Sequence, residues 1–361
     1  MERVHNFNAG PAVLPEEVLR EAQADLVNYK GMGLSVMEMS HRSKEYEAII
    51  NEARDAAKRI YGIGDDWDVL FLHGGASLQF LMVPLNFLPE GKIANFIHTG
   101  VWSKKAMAEV KKIGKPLHIA ASSEDKSFSY IPKTYQLSDN PAYLHITTNN
   151  TIYGTEWKRD PDVPKEIPLI ADMSSNFMSK PIDINKYSLI YAGAQKNIGP
   201  AGCAVVLVKK DFLSTGATNL PSMLDYQLHA KNGSLYNTPP CFTIYMIGLV
   251  LKWIEEYGGL AKIEENNKAK AKYIYDVIDA SDGFYRGTVV PEDRSLMNIT
   301  FRLPGEELEN LFVSEAKKNG MIGLKGHRDV GGCRASCYNA LPLKAAYTLA
   351  DFMKNFQKQN G

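Results

Sequence analysis

The chain has 361 residues, and its 41 Lys and Arg are balanced by 41 Asp and Glu, so the formal net charge is zero. A neutral chain offers no general electrostatic field for nucleic acid or for an anionic membrane surface, and we expect neither as a partner. The composition, with 45% hydrophobic and 23% charged residues, is typical of a globular protein with a large core. The length suggests about two domains.

The N-terminal sequence MERVHNFNAG lacks the apolar centre of a secretory signal, and no apolar run reaches the roughly 20 residues that span a bilayer. The longest run, at 241–253, predicts a buried helix. The cysteines are sparse and mostly far apart: Cys203, Cys241, Cys333 and Cys337. This usage is typical of a reducing compartment, so we expect a cytoplasmic protein. Their spacing matches no common zinc pattern, and we predict no metal site.

Short apolar runs predict buried β-strands. These runs lie at 68–72, 92–97, 142–148, 168–174, 188–194 and 203–209. Helical patterns lie between several of them, one from Ser43 to Gly62 and one over 102–114. The alternation predicts an α/β fold with a mainly parallel sheet covered by helices on both faces. In such sheets, ligands bind at the carboxyl ends of the strands.

The pattern changes after about residue 259. A long polar helix over 259–281 precedes a strand at 295–303, a helix that includes 304–312, a strand within 331–340 and a final helix from Pro342. This order predicts a smaller α+β domain. We therefore expect a large domain of residues 15–258, and a small domain formed by 1–14 and 259–361.

Two charged residues lie at or just after the ends of predicted strands. Lys196 comes just after the apolar run at 188–194, and Asp172 lies near the end of the run at 168–174. Taken singly, each has an ordinary interpretation, because Lys196 suits an exposed strand end and Asp172 suits the cap of a turn. Taken together, they fit pyridoxal phosphate, which needs a lysine for its aldehyde and a carboxylate beside its ring nitrogen.

Three weaker patterns are compatible with the same cofactor. The sequence Gly-Gly-Ala-Ser at 74–77 joins a strand to a helix, where backbone N–H groups bind phosphate, although it also suits an ordinary turn. Trp102 follows another strand and offers either a core side chain or a plate for a stacked ring. The dipeptides His41-Arg42 and His327-Arg328 lie in or near Gly-containing loops. They indicate a small ligand with two anionic groups, or arginines that are solvated or paired with an acid such as Asp329.

Motifs over essentially the whole chain resemble the phosphoserine aminotransferase family, in the class V subgroup of fold-type-I pyridoxal-phosphate enzymes. The resemblance lies in FNAGPAVLPEEVL, GMGLSVMEMSHRS, FLHGGAS, TTNNTIYGTE, ADMSSNF, AGAQKNIGPAG, LYNTPPCFTIY and GHRDVGGCRASCYNA. It implies reversible amino transfer between L-glutamate and 3-phosphohydroxypyruvate, giving O-phospho-L-serine and 2-oxoglutarate, in L-serine biosynthesis. It also implies a seven-stranded sheet in the large domain and a homodimer with shared active sites.

The same resemblance implies a role for each matching residue. Lys196 would bond to the cofactor aldehyde and then act as the base, and Asp172 would pair with the ring nitrogen. The remaining cofactor-binding residues would be Ala76, Ser77, Trp102, Thr151 and Gln195, together with Asn237 and Thr238 from the neighbouring subunit. Arg334 would bind the substrate α-carboxylate. The distal phosphate or γ-carboxylate would be surrounded by His41 and Arg42 of the partner chain and by His327 and Arg328.

Two alternatives stay open at this point. The first alternative is another class V enzyme, such as an alanine–glyoxylate aminotransferase or a cysteine desulfurase. A desulfurase needs a catalytic cysteine on a mobile loop, whereas Cys333 and Cys337 are predicted to alternate on one strand. The other alternative is a non-catalytic protein that keeps the cofactor-binding fold. Such a protein is expected to lose Lys196 or Arg334, and both are present.

Overall fold

Residues 3–328 and 330–361 are described by a computed structural model. Over these residues the helices are α1 Glu16–Asp25, α2 Lys44–Tyr61, α3 Gly75–Phe87, α4 Val101–Lys112, α5 Lys210–Ser214, α6 Tyr226–Lys231, α7 Cys241–Glu256, α8 Gly259–Asp279, α9 Glu306–Lys318 and α10 Leu343–Asn360. The strands are β1 His5–Asn6, β2 Trp67–His73, β3 Ile93–His98, β4 Leu117–Ser122, β5 Pro141–Thr147, β6 Leu169–Asp172, β7 Leu189–Gly193, β8 Cys203–Lys209, β9 Arg286–Gly287, β10 Asn298–Arg302, β11 Met321–Ile322 and β12 Cys333–Ser336.

A seven-stranded sheet in the order β2-β8-β7-β6-β5-β3-β4 forms the centre of the chain. Strand β8 runs antiparallel to both of its neighbours, and the other adjacent pairs are parallel. Apolar clusters cover both faces of the sheet, because side chains of successive strand residues point to opposite faces. The predicted mainly parallel α/β sheet is therefore confirmed, and the six predicted strands lie within one or two residues of their expected bounds.

Of the seven strands in this sheet, β4 is the one that the apolar runs did not predict. It lies at the edge of the sheet, and Ile119 in its middle is 45% exposed. Only Ala120 of its six residues is buried. An edge strand with one solvated face lacks the continuous apolar run that marks a central parallel strand.

Helix α2 shows how the predicted helices begin and end. Ser43 Oγ accepts a hydrogen bond from the backbone N–H of Tyr46 at 3.2 Å, and Gly62 follows the last helical residue with a φ of +65°. Its apolar face packs on α7, the predicted buried helix. Among the described residues, no helix is both long and apolar enough to cross a membrane.

The C-terminal region forms a second apolar cluster around the antiparallel sheet β12-β10-β9 and helices α9 and α10. Phe7 and Val13, from the start of the chain, belong to this cluster, and β1 pairs in parallel with β11. Helix α8 contributes to two clusters, with Ile263 in the cluster of the central sheet and Ala271 in the C-terminal one. The domain boundaries near residues 14 and 258 stay a prediction.

Candidate active site

A cavity of about 230 Å³ opens at the carboxyl ends of the parallel strands. It is lined by Gly74, Gly75, Ala76, Ser77, Phe80, Trp102, Asp172, Ser174, Gln195, Lys196 and Gly202. Strands β2, β6 and β7 all end at this edge, so the loops that follow them meet there. The topology thus brings together eight of the residues that the sequence singled out.

Asp172 is the last residue of β6, and only 4% of it is exposed. Its Oδ1 accepts hydrogen bonds from the backbone N–H of Ser174 at 2.9 Å and from Ser174 Oγ at 2.6 Å. Burial raises the pKa of Asp172, while the charge of Lys196 and the bonds from Ser174 oppose that rise. The described hydrogen bonds use Oδ1, so Oδ2 is the oxygen left to accept a ligand N–H.

Lys196 lies in the turn after β7. Its Nζ donates a hydrogen bond to Thr151 Oγ1 at 2.6 Å and lies 5.2 Å from the centroid of the Trp102 ring. Burial lowers the pKa of Lys196 to about 8, with Asp172 opposing that shift and Arg334 reinforcing it. About a tenth of such an amine is neutral at pH 7, which makes it a usable nucleophile and base.

The turn that carries Lys196 is held from outside the sheet. The backbone N–H of Ala12 donates to the carbonyl of Gln195 at 2.9 Å. Gly10 has a φ of +136°, and a Cβ built on it would lie 3.4 Å from Lys196 Cγ. The N-terminal segment therefore packs against the stem of the lysine and limits where its amine can point.

The segment from Gly74 to Ser77 forms the start of α3. Gly74 has a φ of +79°, and a Cβ there would lie 2.7 Å from Leu78 Cβ, so only glycine fits the turn. The first turn of α3 carries no acidic side chain, which leaves the backbone N–H groups of the helix start suited to an anion. Gln195 Oε1 is buried with no hydrogen-bond partner in the described part of the chain. Rotated by 180°, the same amide offers Nε2 to a phosphate oxygen.

Thr151 and Arg334 extend the site toward the C-terminal sheet. Arg334 lies on β12, and its Nη1 donates to the carbonyl of Thr151 at 3.1 Å. Arg334 Nε is buried without a hydrogen-bond partner among residues 3–328 and 330–361. A half-buried guanidinium with a buried free donor fits a carboxylate ligand, which Arg binds through two parallel bonds. Burial lowers the pKa of this guanidinium from a very high ordinary value.

Asn237 and Thr238 lie beside His73, the residue that precedes the Gly74 turn in the same chain. Asn237 Nδ2 is 3.0 Å from His73 Nε2, and the carbonyl of Thr238 is 3.2 Å from that same nitrogen. Within one chain, these two residues are thus close to the start of the proposed phosphate site. Their expected action on a neighbouring subunit stays a prediction.

The two His-Arg dipeptides do not line the cavity as the described residues define it. Arg42 is exposed, and its backbone N–H bonds Ser40 Oγ at 3.3 Å. The loop that carries His327 is closed by a 2.8 Å hydrogen bond from the N–H of Gly326 to the carbonyl of Gly332, and it leads directly into β12. This loop therefore approaches Arg334 along the chain. Asp329, an acid considered for pairing with these arginines, lies outside the described residues.

Sequence reasoning missed three residues that line the cavity, namely Phe80, Ser174 and Gly202. A signal for Ser174 was present, because an aspartate side chain commonly accepts a hydrogen bond from the backbone N–H two residues on, in an Asx-type turn. Phe80 and Gly202 gave no such signal. The His, Cys, Asp and Glu side chains of the described residues form no group of three or more that could hold a metal ion.

The cavity fits pyridoxal phosphate on its own chemistry. It combines a partly neutral amine, a buried carboxylate with one oxygen left for a ring N–H, an aromatic plate and a helix start suited to phosphate. The amine and the carboxylate are requirements of that cofactor, and the plate and the helix start suit its ring and its phosphate. The nearby Arg334 adds an unused donor for a substrate carboxylate.

Comparisons with known proteins agree with this chemistry. A profile of the family "Aminotransferase class-V" matches residues 4–342. Phosphoserine aminotransferase of Desulfosudis oleivorans is 57% identical over 100% of this chain and 99% of its own length. The solved phosphoserine aminotransferase of Bacillus circulans subsp. alkalophilus superposes with a TM-score of 0.98 at 53% identity, with 100% of each chain covered. The solved structure of the PLP-bound phosphoserine aminotransferase from Trichomonas vaginalis superposes with a TM-score of 0.92 at 40% identity, with 98% of this chain and 100% of its own covered. The chain therefore belongs to the class-V aminotransferases, whose cofactor is pyridoxal phosphate, and within them to the phosphoserine aminotransferases.

Proposed function

We propose that the cavity holds pyridoxal phosphate and that the chain transfers the amino group reversibly between L-glutamate and 3-phosphohydroxypyruvate. The products are 2-oxoglutarate and O-phospho-L-serine, which places the reaction in L-serine biosynthesis. The observation that carries the proposal is the pairing of Lys196 and Asp172. Lys196 follows β7, Asp172 ends the adjacent strand β6, and both line one cavity with the start of α3.

Each wall of the cavity has a proposed role toward the cofactor. Ala76 and Ser77 hold its phosphate with backbone N–H groups, and Gln195 adds its side-chain amide. Trp102 would cover one face of the ring and Asp172 Oδ2 would accept the ring N–H, while Thr151, beside the cavity, would bond the phenolic oxygen. A carboxylate in this buried position keeps the ring nitrogen protonated, because the two opposite charges stabilise each other away from water.

When bound, the cofactor supplies an aldehyde that accepts the amino group and a ring that accepts the electron pair of the substrate Cα. Lys196 Nζ is the amine placed to bond that aldehyde. With the cofactor and an amino acid bound, the same nitrogen would be the base that takes the proton from the substrate Cα and returns it to the neighbouring carbon. Thr151 Oγ1, 2.6 Å from Nζ, holds the amine at this position.

The two amino-acid substrates carry their anionic groups in the same arrangement. Each carries an α-carboxylate near the reacting carbon and a second anionic group at the far end. We assign Arg334 to the α-carboxylate because its guanidinium has a buried donor left over near Thr151. His41, Arg42, His327 and Arg328 are assigned to the distal phosphate or γ-carboxylate.

We further propose a cytoplasmic homodimer in which Asn237 and Thr238, with His41 and Arg42, complete the neighbouring site. Support comes from the cavity itself, whose lining includes neither dipeptide although each amino-acid substrate carries an anionic group at its far end. The domain division at residues 15–258 belongs to the same proposal. It is supported by the inclusion of Phe7 and Val13 in the C-terminal apolar cluster.

The buried thiols disfavour a desulfurase. Cys333 is on β12 and Cys337 follows the strand's last residue, and both are buried. Burial raises the pKa of Cys337 to about 12 and also raises that of Cys333. A desulfurase needs a reactive thiolate on a mobile loop, and neither of these side chains provides one.

Two half-reactions test the proposed function. Adding L-glutamate to the protein loaded with pyridoxal phosphate is expected to convert the cofactor absorbance to that of the pyridoxamine form. Adding 3-phosphohydroxypyruvate is then expected to restore it with release of O-phospho-L-serine, identified by mass spectrometry. Equal or faster exchange with alanine and glyoxylate would favour the alternative class V activity, and no exchange with any pair would favour a non-catalytic protein.

Arg42→Ala and Arg328→Ala are expected to raise the KM for O-phospho-L-serine by about ten-fold or more, since each removes a charge-assisted bond to the distal anion. The affinity for pyridoxal phosphate is expected to change by less than about two-fold, because neither residue lines the cofactor cavity. Steady-state kinetics and cofactor titration measure the two effects separately. Unchanged substrate kinetics in both variants would show that the dipeptides serve structure alone.

A further inference from the structure

Lys270 is a buried lysine that the proposed reaction does not use. It lies on α8 with 0% of the residue exposed, and its Nζ donates to the carbonyls of Tyr338 at 2.6 Å and Asn339 at 3.3 Å. Among the described residues, no carboxylate contributes to the electrostatics of this amine. Burial lowers the pKa of Lys270 to about 7, and only the Cys337 thiol opposes that shift.

Stability alone does not account for this residue. Burying an amine without a counter-charge is costly, and its hydrogen bonds to carbonyls offset that cost only in part. What an amine provides and a hydrocarbon does not is a pair of directed bonds to two consecutive carbonyls. Lys270 thus fixes the backbone at residues 338 and 339.

Asn339 connects this part of the backbone to the turn that follows β7 of the central sheet. Its backbone N–H donates to Asn197 Oδ1 at 2.9 Å, and its Nδ2 donates to the carbonyl of Met178 at 2.8 Å. Its Oδ1 accepts from Asn267 Nδ2 at 2.9 Å. With the carbonyl bonded by Lys270, all four polar groups of Asn339 are in use, and the residue is 2% exposed.

Asn197 is the residue that follows Lys196. Its Nδ2 donates to the carbonyl of Phe177 at 2.9 Å, so both ends of its amide are held. On the other side of the lysine, the carbonyl of Gln195 accepts the 2.9 Å bond from Ala12. The turn is thus fixed just before and just after Lys196, and the bond after it depends on Asn339.

We propose that Lys270 and Asn339 are positioning residues for Lys196, acting through the side chain of Asn197. The inference rests on the proposed role of Lys196 as the amine that bonds the cofactor. It places part of the control of that amine in the C-terminal region, on the buried face of α8. A small displacement of a reacting amine is enough to slow its chemistry strongly.

The test compares four variants of the full chain: Lys270→Met, Asn197→Ala, the double variant and Ser281→Ala. Ser281 is the control, because it is a buried residue at the end of α8 that bonds Tyr285 and Ile278 and has no described bond to residues 338–339. For each apoprotein, the attachment of added pyridoxal phosphate to Lys196 is trapped with borohydride at timed intervals and located by peptide mass analysis. Kinetic constants and thermal unfolding midpoints are measured on the loaded proteins.

Lys270→Met is expected to slow attachment at Lys196 and to lower kcat by about ten-fold each, with KM within about two-fold, because the substrate arginines are not moved. The double variant is expected to be no slower than Asn197→Ala, since both changes break one chain of contacts. Ser281→Ala is expected to lower the unfolding midpoint and to leave attachment and kcat within about two-fold.

Three results would overturn the inference. The first is normal attachment and kcat in folded Lys270→Met, and the second is a double variant whose losses multiply. The third is a kinetic loss in Ser281→Ala that matches its loss of stability. If Lys270→Met does not fold, Asn267→Ala removes one bond to Asn339 and is expected to slow attachment by about three-fold; an unchanged rate there would also count against the inference. Absence of attachment in the unsubstituted chain would refute the proposed function as well.

Discussion

Replacing Lys196 with alanine is expected to abolish amino transfer, with a fall in kcat of more than about 10⁴-fold. The side chain is proposed to act twice, as the amine that bonds the cofactor and as the base at the substrate Cα, so its removal takes away covalent and acid–base catalysis together. Turnover of O-phospho-L-serine with 2-oxoglutarate measures the loss. Borohydride followed by peptide mass analysis shows whether any other lysine takes up the cofactor.

Lys105 gives a matched control for this substitution. Its Nζ lies 4.8 Å from the centroid of the same Trp102 ring that Lys196 approaches at 5.2 Å, but Lys105 is exposed on α4 and does not line the cavity. Lys105→Ala is therefore expected to keep kcat within about two-fold of the parent. Near-normal turnover in Lys196→Ala would contradict the assignment of the catalytic amine.

The central strands were predictable because burial on both faces forces continuous apolar sequence. Strands β7 and β8, at Leu189–Gly193 and Cys203–Lys209, show this directly, since nearly every residue in them is buried. Strand β4 escaped prediction for the opposite reason, because Ile119 is exposed and only Ala120 of the strand's six residues is buried. A continuous apolar run therefore identifies buried central strands but not a strand at the solvated edge of the sheet.

The reactive pair was predictable from position along the chain, because parallel strands end at one edge of a sheet. Lys196 and Asp172 needed only that rule to be placed together. The bond from Arg334 to the carbonyl of Thr151 joins residues 183 positions apart and follows from no local pattern. The link from Lys270 through Asn339 is of the same kind, since asparagine in a sequence usually indicates a turn and not a buried hub.

Asp172→Asn is expected to lower kcat by roughly 10²–10³-fold, the range found when one preorganised electrostatic group at a reacting centre is removed. Asparagine keeps the shape of the side chain but not the charge that keeps the ring nitrogen protonated.

Ser174→Ala has a smaller expected effect. Two hydrogen bonds from Ser174 orient Asp172 Oδ1, and the substitution removes only the one from Oγ, because the backbone N–H remains. Its expected loss in kcat is therefore smaller, about ten-fold or less.

The rate at which the cofactor attaches to Lys196 distinguishes loss of the Asp172 charge from a general distortion of the cavity. The charge of Asp172 raises the pKa of Lys196, against the lowering by burial that sets it at about 8. Removing that charge in Asp172→Asn lowers the pKa of Lys196 further, so a larger fraction of the amine is neutral at pH 7. Trapping with borohydride is thus expected to find attachment at Lys196 as fast as in the parent, or faster, while turnover is largely lost. Slow attachment together with slow turnover would mean that Asp172 shapes the cavity, and normal turnover would mean that the ring nitrogen has another partner.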